Sequence, residues 1–271
     1  MNGSRRFMVI RGALFQFVLV GLAAVFYFLV RGLTQGNVGA AVTHARSILR
    51  LERDLQLDVE AGLQHVVLRR RPLTTVANWV YMWGHWPVIV PALVALYVRD
   101  RKHYVVLRNA MFLSGAVGLF IFALWPVAPP RLMPPGSGYV DTVTVWSNSY
   151  RILQPPALVN KYAAMPSFHV GWNLLVGVMV WKTFRRPWAR VLAVASPILM
   201  ATAVVATANH FVLDFVVGCA IALAALTVSY RFYGYTSQRG IDLAHLQLLG
   251  PNDSPAHRDP KFTQPVQVEA S

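Results

Sequence analysis

VLAVASPILMATAVVATANHFVLDFVVGCAIALAALTVSY, residues 191–230, holds no Lys or Arg and a single acid, Asp214. A helix crosses a hydrocarbon core in about 20 apolar residues, so this run is roughly twice what one span can use. It must fold back on itself, and the polar pair Asn209-His210 marks the tip of the hairpin. Two spans follow, at 191–208 and 210–230. Working outward, further runs of spanning length lie at 162–181, 109–130, 74–98 and 12–30. The expected fold is an all-α, integral membrane six-helix bundle forming one domain over residues 1–235.

Composition agrees. The chain is 55% hydrophobic and 13% charged, against about 25% charged residues in an ordinary soluble domain. Arg5, Arg6 and Arg11 ahead of an apolar run resemble a secretory signal, but the run is long and lacks a small-residue cleavage site, so it reads as a retained span. From residue 236 to 271 the chain turns polar, with Pro251, Pro255, Pro260 and Pro265 spaced through it, and reads as a flexible tail. Cys219, the single cysteine, cannot form an internal disulfide.

The net charge of +14 suggests nucleic acid until its placement is considered. The basic residues sit in short patches beside spans: Arg99, Arg101, Lys102 and Arg108 in one connection, Lys182, Arg185, Arg186 and Arg190 in another. With six spans, these patches and both termini fall on one side, which the positive-inside rule makes cytoplasmic. No nucleic-acid partner is implied, and the chain is expected as a multi-pass protein of the cell membrane. The segment 31–72 lies on the opposite side yet carries seven Arg, including Arg69, Arg70 and Arg71. Its apolar positions Ile48, Leu51, Leu55, Val59, Leu63 and Val66 recur at helical spacing, which predicts an amphipathic helix in the lipid interface between the first and second spans.

Ten of the eleven acids fall in connections or tails, leaving Asp214 within a span. An ionisable group there costs about 2.5–3.5 kcal/mol even on gentle insertion scales and marks a candidate functional site. His210, four residues earlier, shares its helix face, so the carboxylate could hold one imidazole nitrogen and present the other as a nucleophile. The rival role for the pair is closing a helix end. Pro166-Ser167-Phe168-His169 opens the fourth span, where free amides and a hydroxyl make a phosphate cradle with a second imidazole beside it. Arg131, stiffened by two prolines, suits a phosphate ligand, although an Arg outside a span is more often a headgroup anchor. Arg151 and Lys161 are further cations of that kind. His85 reads as a packed histidine between helices.

These residues resemble the type 2 phosphatidic acid phosphatase superfamily, which includes vanadium haloperoxidases and fungal inositol phosphorylceramide synthases. Pro166-Ser167-Phe168-His169 is similar to its second motif, and His210-Phe-Val-Leu-Asp214 followed by Gly218 to its third. The resemblance implies that His210 is a nucleophile that becomes phosphorylated, that Asp214 orients it and that His169 is the general acid. In the superfamily's phosphatases a Lys precedes the first motif's Arg-Pro by seven residues; here Leu124 holds that place ahead of Arg131, and Leu132 follows. The Arg expected six residues before the third-motif His is Val204. Those departures argue against a plain classical phosphatase, and the Pro-Val-Ala-Pro-Pro-Arg131 run, Ala-Met-Pro-Ser-Phe-His169 and the preceding amphipathic helix look more like the bacterial branch grouped with inositol phosphorylceramide synthases. The likeness covers roughly residues 40–230.

The expected activity is phosphoryl transfer from a membrane lipid phosphate or phospholipid to an alcohol such as inositol. His210, Asp214 and His169 would be catalytic, with Arg131, Ser167 and Lys161 binding phosphate at the extracytoplasmic face. No metal or cofactor is called for. Hydrolysis of a lipid or polyprenyl phosphate uses the same residues. A different class, a lipid transporter or scramblase with a polar pathway, predicts movement of lipid without turnover.

Overall fold

The computed structural model describes residues 3–33, 37–146 and 160–248. Among these, every regular element is helical, and the one β-type contact is a parallel bridge between Val127 and Ala163. The helices are α1 (Gly3–Leu33), α2 (Val38–Asp54), α3 (Glu60–Leu68), α4 (Arg71–Trp83), α5 (Trp86–Arg99), α6 (Arg101–Leu124), α7 (Thr142–Trp146), α8 (Phe168–Thr183), α9 (Pro187–Ala206) and α10 (Val212–Leu248), with a 3-10 turn at Pro130–Leu132. Two units are distinguished, Met1–Ser229 and Tyr230–Ser271. The first carries every site residue discussed below. The second, within the described residues, continues α10 to Leu248, past the point where a loose tail is expected from the sequence.

Four helices are long and apolar enough to cross a bilayer, Arg11–Val30, Arg101–Leu124, Pro187–Ala206 and Val212–Gly234, and a fifth span results if α4 and α5 count together. The protein is thus an all-helical, multi-pass membrane protein of four or five such helices, where the apolar runs suggest six. The missing span is α8. Its run of 16 residues is about 24 Å long, short of a ~30 Å core. The apolar stretch from residue 162 reaches spanning length only by including Tyr162–Ser167, and those residues form a loop instead.

The second span is also not continuous. It breaks at Gly84-His85, where α4 and α5 meet at a bend of 43°. Pro87 has no N–H to extend the α4 ladder, and a Cβ at Gly84 would lie 2.5 Å from the Val80 carbonyl oxygen. The break turns His85 into the bundle, where it is buried. Irregular backbone at membrane depth is tolerated where protein covers it.

The amphipathic segment forms two helices rather than one. Gln56, at φ +57°, ends α2 in the left-handed region and reverses the chain into α3. Asn37 caps α2 by accepting the amides of Gly39 and Ala40. The face that α2 buries is Ala41, Ala45, Ile48 and Glu52, while the stripe of Leu51, Leu55, Val59 and Val66 stays exposed. Small side chains let α2 approach the polar loop closely, and Ala41 accepts the Ala128 amide at 3.1 Å. Two packed clusters result. Ala41, Ala45 and Ile48 join Val127, Ala128, Ala164, Met165 and Phe211 in the first. Tyr81, Val170, Met200 and Val204 belong to the second.

Candidate active site

The site begins at the turn between α9 and α10. Ala208 adopts φ +52°, so α9 stops and the chain reverses. A non-glycine residue in that region costs about 1–2 kcal/mol. Its surroundings hold it there: Val204 accepts the amides of Asn209 at 2.9 Å and His210 at 3.1 Å, and Ala208 accepts the Arg131 amide at 2.8 Å. The hairpin tip is thereby tied to the loop that follows α6.

His210 lies two residues before α10 begins, outside the helix expected to carry it, yet it meets Asp214, with Nδ1 3.3 Å from Asp214 Oδ2. The same Nδ1 lies 2.9 Å from the Ala164 carbonyl oxygen. Facing two acceptors, Nδ1 must carry the proton, which leaves Nε2 as the ring's lone-pair nitrogen. Asp214 is fully buried, and its Oδ2 also accepts the Phe211 amide at 2.9 Å. The carboxylate therefore holds both the imidazole and the backbone that bears it.

α8 delivers the second imidazole. Its first turn lies against α10 because neither helix has a side chain at the crossing: a Cβ on Gly218 would sit 2.1 Å from the Ser167 carbonyl oxygen, and one on Gly171 would sit 2.8 Å from the Gly218 carbonyl oxygen. The Ser167 amide donates to the Asp214 carbonyl at 2.8 Å. The rings of His169 and His210 consequently stand 5.5 Å apart, centroid to centroid. Given a hydrogen-bond reach of about 2.6–3.2 Å, both rings can touch one tetrahedral phosphate. Ser167 occupies the cap position of α8, but its Oγ makes no cap bond. That hydroxyl is buried without a partner, beside the first-turn amides that an α-helix leaves unpaired.

His85 is packed between helices, as expected, and its place is directly beside His169. Its ring lies 4.8 Å from His169 and stacks on Trp172 at 5.8 Å. Asn173 fixes both neighbours, donating to the His169 carbonyl at 2.7 Å and approaching His85 Nδ1 at 3.4 Å, while its Oδ1 accepts Ser196 Oγ at 2.6 Å. The signal in the sequence was Gly84 with Pro87 three residues on, a span-breaking pattern beside a histidine.

Arg131 reaches the same face. Nε donates to Asn209 Oδ1 at 2.8 Å, and Nη1 pairs with Asp141 Oδ2 at 2.9 Å. Asn209, next to His210, is itself held by Thr207 Oγ1 at 2.8 Å. Lys161 is exposed on the turn after Asn160, so of the three expected phosphate ligands it is the least anchored. Arg151 lies outside the described residues.

Two acids of the amphipathic segment, Glu52 and Glu60, are fully buried behind the site. Glu52 Oε1 accepts the Leu213 amide at 2.7 Å, and Glu60 Oε1 accepts the Val212 amide at 2.9 Å. Together they cap the first turn of α10, the turn that carries Asp214. Burial pushes the Glu52 carboxyl from the ordinary 4.5 up to about 9; the Leu213 amide opposes this, and the hydrogen bond and charge of Glu60 and the charge of Asp214 add to it. Burial, with the charges of Glu60 and Glu52, likewise raises the Tyr139 hydroxyl to about 12.

A carboxylate-held histidine thus faces a second histidine at a helix N-terminus within one helical bundle. The profile of the PAP2 superfamily matches residues 46–228, and the chain belongs to that superfamily, the type 2 phosphatidic acid phosphatases and their phosphotransferase relatives. It is a lipid-directed enzyme of the phosphatase or phosphotransferase type. Comparison with curated proteins and with solved structures returns no match. Among the described residues no three His, Cys, Asp or Glu side chains are grouped to hold a metal ion.

Proposed function

We propose that the enzyme transfers a phosphoryl group from a membrane lipid phosphate or phosphodiester through a phosphohistidine on His210, with an alcohol such as inositol as acceptor. The observation that carries this is the bonding of His210 Nδ1 to both Ala164 O and Asp214 while the His169 ring stands 5.5 Å away. His210 Nε2 forms the bond to phosphorus as the P–O bond to the leaving group breaks, and protonated His169 gives its proton to the departing oxygen. In the second step the acceptor oxygen attacks phosphorus, its proton goes to His169, and the P–Nε2 bond breaks. Ser167 Oγ, the first-turn amides of α8 and the Arg131 guanidinium supply the charge stabilisation that phosphoryl transfer chiefly needs. Lys161 would act from the pocket rim.

Two departures from the phosphatase motifs support the transferase branch. Leu124, in place of the first-motif Lys, is 67% exposed on the outer surface of α6, and Val204, in place of the third-motif Arg, is wholly buried in packing. Neither position supplies the site with a cation. An apolar cavity of about 300 Å³ lined by Tyr27, Trp86, Met111, Gly115 and Trp172 suits a hydrocarbon chain. It adjoins the reaction centre through Trp172, which stacks on His85. On this reading α8, together with its preceding loop, completes a sixth crossing in the cell membrane, both termini are cytoplasmic and the site faces outward. The basic connections 99–108 and 182–190 and the exposed apolar stripe of α2 and α3 support that topology.

Incubating purified protein with a phosphate-labelled lipid, with and without inositol, tests the acceptor. Labelled inositol phosphate or an inositol-bearing lipid is expected; free phosphate alone, unchanged by inositol, identifies a phosphatase and eliminates the transferase branch. In the same assay Arg131→Ala should lower kcat/KM about 10- to 100-fold, the worth of one charge-assisted hydrogen bond of about 1.5–3 kcal/mol. A change under twofold would remove Arg131 from the phosphate site.

A further inference from the structure

Glu52 Oε2 and Glu60 Oε2 are both buried and neither meets an N–H or O–H donor from the rest of the protein. Each carboxyl spends its other oxygen on a backbone amide of α10. The amides they accept, Val212 and Leu213, are neighbours in the chain, so both carboxyls are gathered at one helix turn, where they could hydrogen-bond one another only with a proton between them. The pair is then one negative charge on three covalently separate anchors: α2, α3 and the N-terminus of α10, where helix geometry favours an anion. Gln56, by reversing the chain between them, is what brings positions eight apart in sequence together.

We propose that Glu52 and Glu60 form a proton-sharing carboxyl pair that positions the His210–Asp214 couple by clamping the first turn of α10, and that loss of the shared proton sets the alkaline limit of activity. This rests on the phosphoryl-transfer reading above. The pair acts through α10 and touches neither substrate nor the reacting atoms, so both glutamates are positioning residues. When the proton leaves, two negative charges share one buried contact, the carboxyls part, and the amides of Val212 and Leu213 lose their acceptors. Asp214 is two residues from the first and adjacent to the second. It moves with them.

The charge of Asp214 from α10 acts on Glu52, and both glutamates act on Tyr139 from the loop before α7, which also feels Arg53 and Asp58 at the α2–α3 turn. Arg53 and Asp58 lie 3.9 Å apart and largely offset one another. Tyr139 stays neutral until about pH 12, so it is not the group that titrates first. Between about 4.5 and 9 the folded chain holds a proton on Glu52 that the unfolded chain has released. Stability therefore falls as pH rises through that window, in the same direction as activity.

The pair and its role are tested with Glu52→Gln, Glu60→Gln and Glu52→Ala in the full-length protein in detergent. Glutamine keeps the acceptor for the helix amide and adds an N–H that serves the partner carboxylate at every pH. The alkaline limb of kcat/KM should move up by at least about one pH unit in either Gln variant. Glu52→Ala, with no acceptor for Leu213, should lose about 10- to 100-fold in kcat, most of which Glu52→Gln restores. A merely structural acid would leave the limb where it is. Infrared difference spectra supply a readout that needs no substrate: wild type at neutral pH should show the band of a protonated carboxyl, and Glu52→Gln should lack it. No such band, or superimposable pH profiles, overturns the proposal. A band in a protein that turns over no lipid phosphate overturns the phosphoryl-transfer reading and the catalytic role of the pair together, while the proton-sharing contact stands.

Discussion

On the proposed phosphohistidine route, replacing His210 by Ala should lower phosphoryl transfer at least about 10⁴-fold, because the variant lacks the nitrogen that would bond to phosphorus. The fold should survive. His210 donates one bifurcated hydrogen bond, to Ala164 and Asp214, worth about 1 kcal/mol. Asp214 keeps the Phe211 amide as a partner, so its charge is not left bare. Wild type quenched in alkali during turnover of a phosphate-labelled lipid should retain label on the protein, and acid should remove it, as expected of a phosphoramidate. His210→Ala should carry none. Residual turnover above about 1% of wild type, or label that persists on the variant, would place the covalent step elsewhere.

Gly218→Ala is expected to be the most damaging single methyl addition near the site. The new Cβ would lie 2.1 Å from the Ser167 carbonyl oxygen and 2.8 Å from its carbon, and those are backbone atoms that no rotamer change can move. Overpacking of this kind costs about 1–3 kcal/mol, read as a lower midpoint of thermal unfolding in detergent. Activity should fall further than stability. The Ser167 amide is bonded to the Asp214 carbonyl, so separating α8 from α10 carries Ser167 and His169 away from His210. A displacement of about 1 Å at reacting groups costs on the order of 10²-fold in rate. Wild-type kcat and melting in the variant would show that the two helices do not cross so closely. Gly62→Ala is the control, since a Cβ there meets nothing within 4 Å.

Both predictions draw on residues visible in the sequence, for different reasons. A lone acid in a forty-residue apolar run is conspicuous because bilayers penalise it, and the four-residue spacing points to His210 as its mate, although the histidine stands on the turn before α10 rather than on its face. Pro166 before Ser167 and His169 likewise signals a helix start. His85 was harder to place, since hydropathy counts residues 74–98 as one span and is blind to a 43° break. α8 is shorter than its apolar run for a related reason: the apolar residues Tyr162–Ser167 form a site loop, yet they score like residues that face lipid.

Glu52 and Glu60 show the deeper difficulty. Periodicity read the segment by its large apolar side chains, yet the face that packs is the one with Ala41, Ala45 and the two acids, because small residues permit close approach and the α10 amides need acceptors.

Sequence alone determined that the chain lives in a membrane, that its regular structure is helical and that His210, Asp214 and His169 are the candidate chemistry, since solvent cost and local helix geometry depend on composition and spacing. Tertiary structure decided which nitrogen of His210 is held by hydrogen bonds, that His85 stands beside His169 and that two glutamates from α2 and α3 cap α10. Those outcomes depend on which backbone atoms meet across the bundle, and a carbonyl or amide in search of a partner leaves no mark on the side chains that a sequence spells out.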